Sequence, residues 1–230
     1  MKQARHRHRR AVTTRLMPLV ASSTAPCDNP RMIVIRESGY RAVPWKNGGG
    51  VTREILRVPP EPTAFDWRLS LATIAAPGPF SSFEGFDRIL VLVHGQGVEL
   101  DFGQHGRAKL TLPGQMVSFD GAWETSCTLL DGPSTDLNLI VSKDRTLSTS
   151  RSVQLARAEL VQTAEWAQTL VCCISGAVRL TNMAGEVEEL SGVDVAQCSP
   201  GDGAITCSPR SSSPARVFVA GLGPKAGPGT

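Results

Sequence analysis

Helical periodicity is what this chain most plainly lacks. Apolar residues seldom recur at the three- and four-residue spacing of a helix face, which argues against a helical bundle. No apolar run approaches the roughly 20 residues that cross a bilayer as a helix, so no membrane partner is expected. Histidine is scarce too: four in 230 residues, with His6 and His8 close to the N-terminus. The others, His94 and His105, would straddle an exposed hairpin end even with Glu99 or Asp101 beside them. No metal site is expected from such a set, and no other cofactor. There is no Gly-x-Ser-x-Gly, and Ser199-Pro200-Gly201-Asp202-Gly203 is turn chemistry. Six cysteines occur without a single Cys-x-x-Cys pair, and Cys172 adjoins Cys173. Neighbours on a strand face opposite ways, so this is no disulfide framework. Buried thiols in a reducing compartment fit better, and a cytoplasmic location is expected.

Excess positive charge is missing from most of the chain as well. The net charge of +3 hides an N-terminal concentration: residues 1–31 hold seven basic residues and one acid. The rest carries 17 basic and 20 acidic residues. A mildly acidic body offers no nucleic-acid surface. Residues 1–31 read as a disordered or misannotated tail; their Arg-rich makeup also matches a transit peptide, but no secretory h-region is present. Met32 opens Met32-Ile33-Val34-Ile35, which reads as a first strand, and Met17 is a second possible start.

What the chain does have is many short apolar or alternating runs punctuated by Gly, Pro, Asp and Asn, the pattern of sandwiches and barrels. Two sets of runs resemble each other at an offset of about 80 residues. Leu90-Val91-Leu92-Val93-His94-Gly95-Gln96-Gly97-Val98-Glu99-Leu100 is echoed by Leu170-Val171-Cys172-Cys173-Ile174-Ser175-Gly176-Ala177-Val178-Arg179-Leu180. Leu139-Ile140-Val141 is echoed by Val217-Phe218-Val219. The expectation is an all-β protein of two stacked barrels: residues 32–147, carrying extra N-terminal strands, and residues 148–230, joined by a polar linker near Ser142–Ser152. Residues 156–168 stay open between a short helix and a strand.

Three segments could carry chemistry. In Trp45-Lys46-Asn47-Gly48-Gly49-Gly50-Val51-Thr52-Arg53-Glu54-Ile55, consecutive glycines allow close backbone approach and an anion-binding nest. Lys46 and Arg53 add positive charge, and no Gly-Lys-Ser/Thr of a Walker loop follows. The plain alternative is a turn before a strand. In Trp67-Arg68-Leu69-Ser70-Leu71, Arg68 and Ser70 share one strand face. If Arg68 points inward it needs a partner, because a buried unpaired guanidinium is costly. A ligand carboxylate, Glu54 or Asp87 would serve; a solvated outward Arg is the alternative. In Gly78-Pro79-Phe80-Ser81-Ser82-Phe83-Glu84-Gly85-Phe86-Asp87-Arg88, the three phenylalanines could form a lip over a pocket or simply anchor a loop.

Taken in order, these segments resemble the HutD/Ves family, as does Leu130-Asp131-Gly132-Pro133-Ser134-Thr135-Asp136-Leu137-Asn138-Leu139, with Leu137 where the family has Phe. The resemblance is strong over residues 36–141 and looser to residue 222. It implies a double cupin (two jelly rolls, RmlC-like) without the usual cupin metal ligands, and a link to histidine utilisation, although one branch is tied to stress. It implies a non-catalytic accessory or regulatory protein, holding a carboxylate metabolite such as urocanate or N-formylglutamate. The site residues it points to are Trp45, Lys46, Asn47, Arg53, Glu54, Arg68, Ser70, Phe80 and Arg88.

Two rival readings remain. One is a metal-free cupin enzyme, an isomerase or hydrolase, with Glu54 or Asp87 as general base and Arg68 stabilising developing charge. The other is a protein-interaction module displaying Phe80, Phe83 and Phe86. An edge strand would also support a homodimer.

Overall fold

The computed structural model describes residues 32–45, 49–60 and 64–225. The expected tail, residues 1–31, lies outside them, as do Lys46 and Asn47.

The described residues form strands β1 (Ile33–Ile35), β2 (Arg41–Pro44), β3 (Gly50–Val58), β4 (Trp67–Ile74), β5 (Gly78–Pro79), β6 (Phe86–His94), β7 (Val98–Asp101), β8 (Arg107–Leu110), β9 (Met116–Asp120), β10 (Ser126–Leu129) and β11 (Ser134–Ser142). They continue with β12 (Thr146–Leu155), β13 (Glu159–Gln162), β14 (Gln168–Ser175), β15 (Ala177–Thr181), β16 (Val187–Ser191), β17 (Val195–Cys198), β18 (Ala204–Pro209) and β19 (Ala215–Pro224). Among the described residues the helical pieces are single 3-10 turns, and no helix is long and apolar enough to cross a membrane.

The strands make two double-layered units. In the first, a sheet ordered β2-β3-β4-β11-β6-β9 faces one ordered β5-β10-β7-β8. In the second, β1-β17-β14-β19-β12 faces β13-β18-β15-β16. The run β4 to β11 therefore matches β12 to β19 strand for strand. The first unit adds β2 and β3 beyond β4, the extra N-terminal strands anticipated from the repeat.

Period-two alternation explains the burial. Leu90 and Leu92 of β6 point into the first unit with Val98, Leu100 and Phe119. Val91 and Val93, one residue out of phase, join Leu69, Leu71, Leu137 and Leu139 on the other face. That face packs on Leu170, Cys172, Phe218 and Ala220 of the second unit, so a third core glues the two large sheets together. A strand buried on both faces needs apolar residues at every position, which is why β6 and β14 read as unbroken apolar runs.

Two expectations are corrected and one open choice is resolved. The polar stretch expected as a linker is strand β12, paired along its whole length with β19. It is polar because it is an edge strand with one solvated face. Of the two alternatives for residues 156–168, strand holds: residues 159–162 are β13. Strand β1 does not join the first unit: it pairs with β17 of the second. The chain between β1 and β2 clamps this exchange. Arg36 and the Glu37 amide bind Asp194, and the Tyr40 hydroxyl donates to the Val193 carbonyl at 2.6 Å.

Candidate functional site

Inside the first unit, the inward face of its large sheet is apolar at one side and polar at the other. Register places the polar residues in rows. Arg68 of β4 and Arg88 of β6 flank Ile140 of β11. Two residues along, Ser70 and Leu90 flank Asn138; two further on, Ala72 and Leu92 flank Asp136. Thr52 of β3 stands beside Ala72. Arg68, Arg88, Ser70, Asn138, Asp136 and Thr52, with Trp45, Phe80 and Phe83, line a cavity of about 700 Å³. That is ample for a small organic acid and within the usual range of metabolite pockets.

The polar groups on this wall are poorly satisfied by the protein. Arg88 is 5% exposed, and its guanidinium lies over Phe80, Phe83 and Phe119 with ring centroids 5.0–5.4 Å away. Its Nη1 donates to the Ser81 carbonyl at 3.2 Å, but Nε has no protein partner. Arg68 sits over Phe65 and Phe83, and its Nε is also unpartnered. On the acceptor side, both carboxylate oxygens of Asp136 and the Oδ1 of Asn138 lack a donor. Five unpaired buried atoms on one cavity wall are exceptional, since buried polar groups are almost always satisfied.

Desolvation sets the charges. It lowers the Arg88 pKa to about 10, which leaves the group cationic at neutral pH. Arg68 is lowered for the same reason, helped by nearby Arg57. It pushes the Asp136 carboxyl up to about 7, against the pull of Arg88. The cavity thus holds two cations and one acid poised near neutrality.

Trp45 is held over the cavity by β3. Its indole Nε1 donates to Thr52 Oγ1 at 2.8 Å, and its ring packs on Gly50. A Cβ on Gly50 would sit 2.3 Å from the Thr73 carbonyl oxygen. Here glycine permits close approach of β3, β4 and an aromatic ring. The carbonyl of Gly49 accepts from the amides of Ala75 and Ala76. Lys46 and Asn47 lie outside the described residues, as does the heart of the expected anion nest.

The structure therefore brings together Trp45, Arg68, Ser70, Phe80 and Arg88. It does not bring in three other expected residues. Arg53 is out of phase with Thr52, pairs with Glu37 at 2.7 Å, and belongs to the seam between the units. Glu54 stands opposite Ser70 but is held by Arg57 at 3.0 Å and does not line the cavity. Asp87 is exposed on the opposite parity from Arg88, 3.8 Å from Lys143. Neither acid is placed to act as a base on a molecule in the cavity. Asp136 and Asn138 are the residues that sequence reasoning missed. Their signal was present: Asp136 and Asn138 alternate with Leu137 and Leu139 along β11.

Histidine and cysteine stand apart. His105 stacks on Trp123 with centroids 4.2 Å apart, His94 is exposed, and neither lines the cavity. Among the described residues, no three His, Cys, Asp or Glu side chains cluster as a metal would require. Burial pushes the thiols of Cys127, Cys173, Cys198 and Cys207 up to about 12, which makes them poor nucleophiles.

The second unit shows what the same frame looks like without these groups. Register equates Asp136, Asn138 and Arg88 with Val217, Val219 and Thr169. It equates Ile140 with Gly221, against which the Trp166 ring is pressed. Only about 180 Å³ stays open there.

Comparison with known proteins agrees with this architecture. A family model described as HutD matches residues 37–214. An uncharacterised 21.2 kDa protein from the hutC 3′ region of Pseudomonas putida is 42% identical over 114 residues, 49% of this chain and 59% of that protein. Protein Ves of Citrobacter koseri is 39% identical over 102 residues, 44% of this chain and 53% of that one. The matches thus span little more than half the length of these curated relatives. The solved HutD of Pseudomonas fluorescens SBW25, from a formate condition, superposes with a TM-score of 0.72 at 30% identity. That superposition covers 85% of this chain and all of the other. The oxalate decarboxylase of Lactobacillus farciminis, 9% identical over 88% of both chains with a TM-score of 0.59, shares the double-cupin fold alone.

Proposed function

The chain belongs to the HutD family, and from that premise we propose that it is a cytoplasmic, non-catalytic binding protein for a small carboxylate metabolite, with an accessory or regulatory role in histidine utilisation. The carrying observation is the pair of desolvated, incompletely paired guanidinium groups of Arg68 and Arg88 aimed into one cavity. A carboxylate supplies the missing acceptors in a charge-assisted, geometrically specific way. The Phe80 and Phe83 rings exclude water from the pair, and Trp45 offers an aromatic wall to a planar acid. A relative from the hutC 3′ region supports the histidine-utilisation half of this reading. Urocanate and N-formylglutamate are the first ligands to try. Thermal-shift and calorimetric titrations test it. Saturable stabilisation by one of these acids is expected, reduced at least roughly tenfold in affinity by Arg88→Met or Arg68→Met. Unchanged affinity in both folded variants would overturn it.

One observation favours a second reading. Asp136 is a buried acid with a pKa near neutrality beside two cations, the setting of a general acid or base. If the protein is an enzyme, Asp136 is the acid–base residue, in place of Glu54 or Asp87. Turnover of a carboxylate metabolite by purified protein, lost in Asp136→Asn, would establish this.

A further inference from the structure

The cavity has two chemically different ends. Arg68 and Arg88 form the row at one end of the sheet face, and their unpaired atoms are donors. Asp136 stands on β11 four residues from Ile140, the residue that the two arginines flank. Its two unpaired atoms, and that of Asn138 between the rows, are acceptors. Asp136 is not simply the counter-ion of Arg88. No hydrogen bond or ion pair joins them: the Arg88 guanidinium lies among three aromatic rings, donates to the Ser81 carbonyl, and acts on Asp136 only through longer-range attraction. A carboxylate ligand alone would satisfy the arginines and leave three buried acceptors without a donor. It would also set a second anion near Asp136.

We propose that Asp136, assisted by Asn138, is a specificity-determining residue that accepts a hydrogen bond from an N–H group of the ligand. The ligand is therefore two-ended: a carboxylate toward Arg68 and Arg88, and a nitrogen donor, such as an azole or amide N–H, toward Asp136. This rests on the carboxylate reading above and narrows it to acids that carry such a nitrogen. The second unit fits the assignment: where Asp136 and Asn138 would fall, it has Val217 and Val219. The raised Asp136 pKa adds that the carboxyl passes readily between proton-bearing and accepting forms near neutral pH, and so accommodates a donor without a fixed buried charge.

Calorimetry with two matched probes tests this. Urocanate carries an azole N–H; trans-3-(furan-3-yl)acrylate has the same length and carboxylate but no N–H. The parent is expected to bind urocanate at least roughly tenfold tighter, the worth of one hydrogen bond to a charged group. In Asp136→Val, which copies the second unit, the preference should fall to within about twofold while furylacrylate binding persists. If the valine variant does not fold, Asp136→Asn is used, and the preference should still shrink by roughly threefold or more. Equal affinity of the two probes for the parent would overturn the proposal and leave the carboxylate reading standing. So would an equal loss of both probes in the variant, since Asp136 would then act only by positioning Arg88. Failure of both probes, and of N-formylglutamate, to bind the parent would sink the carboxylate reading and this proposal with it.

Discussion

At the scale of single residues, the cavity wall exchanges stability for recognition. A carboxyl whose folded-state pKa is about 7 instead of 3.8 binds its proton more tightly folded than unfolded. Its contribution to stability is fully present below pH 3.8 and is lost as pH rises through 7, by roughly 4 kcal/mol if no other group compensates. The charged groups facing it, Arg88 and more distantly Arg68, stay cationic throughout that window and add no opposing step. The melting temperature of the parent should therefore fall between about pH 4 and pH 8 relative to Asp136→Val, with the variant the more stable at pH 8. Parallel pH profiles in parent and variant would contradict this. Arg88 is the converse case. Truncating it to Met removes a buried charge but leaves the Ser81 carbonyl without that donor, so the stability change should be small while ligand affinity falls. Chemical denaturation and calorimetry on one preparation separate the two effects.

At the scale of elements, Gly50 and the aromatic loop shape the cavity. Gly50 lets β3 lie close to β4 while Trp45 covers it. Gly50→Ala sets a methyl against the Thr73 carbonyl, so β3 must shift and the Trp45–Thr52 hydrogen bond must lengthen. A loss of about 1–3 kcal/mol is expected, with weaker binding and a changed tryptophan emission. An unchanged melting curve would show that the strand pair yields freely. The loop from Phe80 to Phe86 acts as both alternatives weighed for it. Phe80 and Phe83 line the cavity and stack on the arginines, while Phe86 begins β6 and packs on Phe65 at 4.8 Å.

At the scale of the whole molecule, the units are not independent. A shared core runs between the two large sheets, and the β1 exchange crosses the seam. Phe218 lies in that core, fully buried. Phe218→Ala should cost about 3–5 kcal/mol and still give one unfolding transition, because both units lose packing together. Two resolved transitions in calorimetry would show that the units fold separately. A chain ending at Lys143 lacks the partner of the apolar face formed by Leu69, Val91 and Leu139. It should bind hydrophobic dyes and fail to unfold cooperatively.

Much of this was legible in the sequence, because much of it is local. Alternation along Trp67–Leu71, unbroken runs at Leu90–Val93 and Leu170–Ile174, and the 80-residue echo follow from a two-residue period, which any short stretch displays on its own. They determined the all-β class, the doubled architecture and the single face shared by Arg68 and Ser70; that this face looks inward was decided by the fold. Lys46 and Asn47, by contrast, are supported by sequence resemblance alone. Only the tertiary structure decided which polar residues meet. Asp136, Arg88 and Arg68 are separated by tens of residues, and cross-strand register, which no local pattern encodes, brings them onto one wall. The same register sent Arg53 to the seam, left Glu54 with Arg57, and carried β1 into the other unit. Polar β12 passed for a linker because an edge strand buries too little to look like a strand. Local periodicity tells a side chain which face it takes; pairing across the sheet decides what it faces.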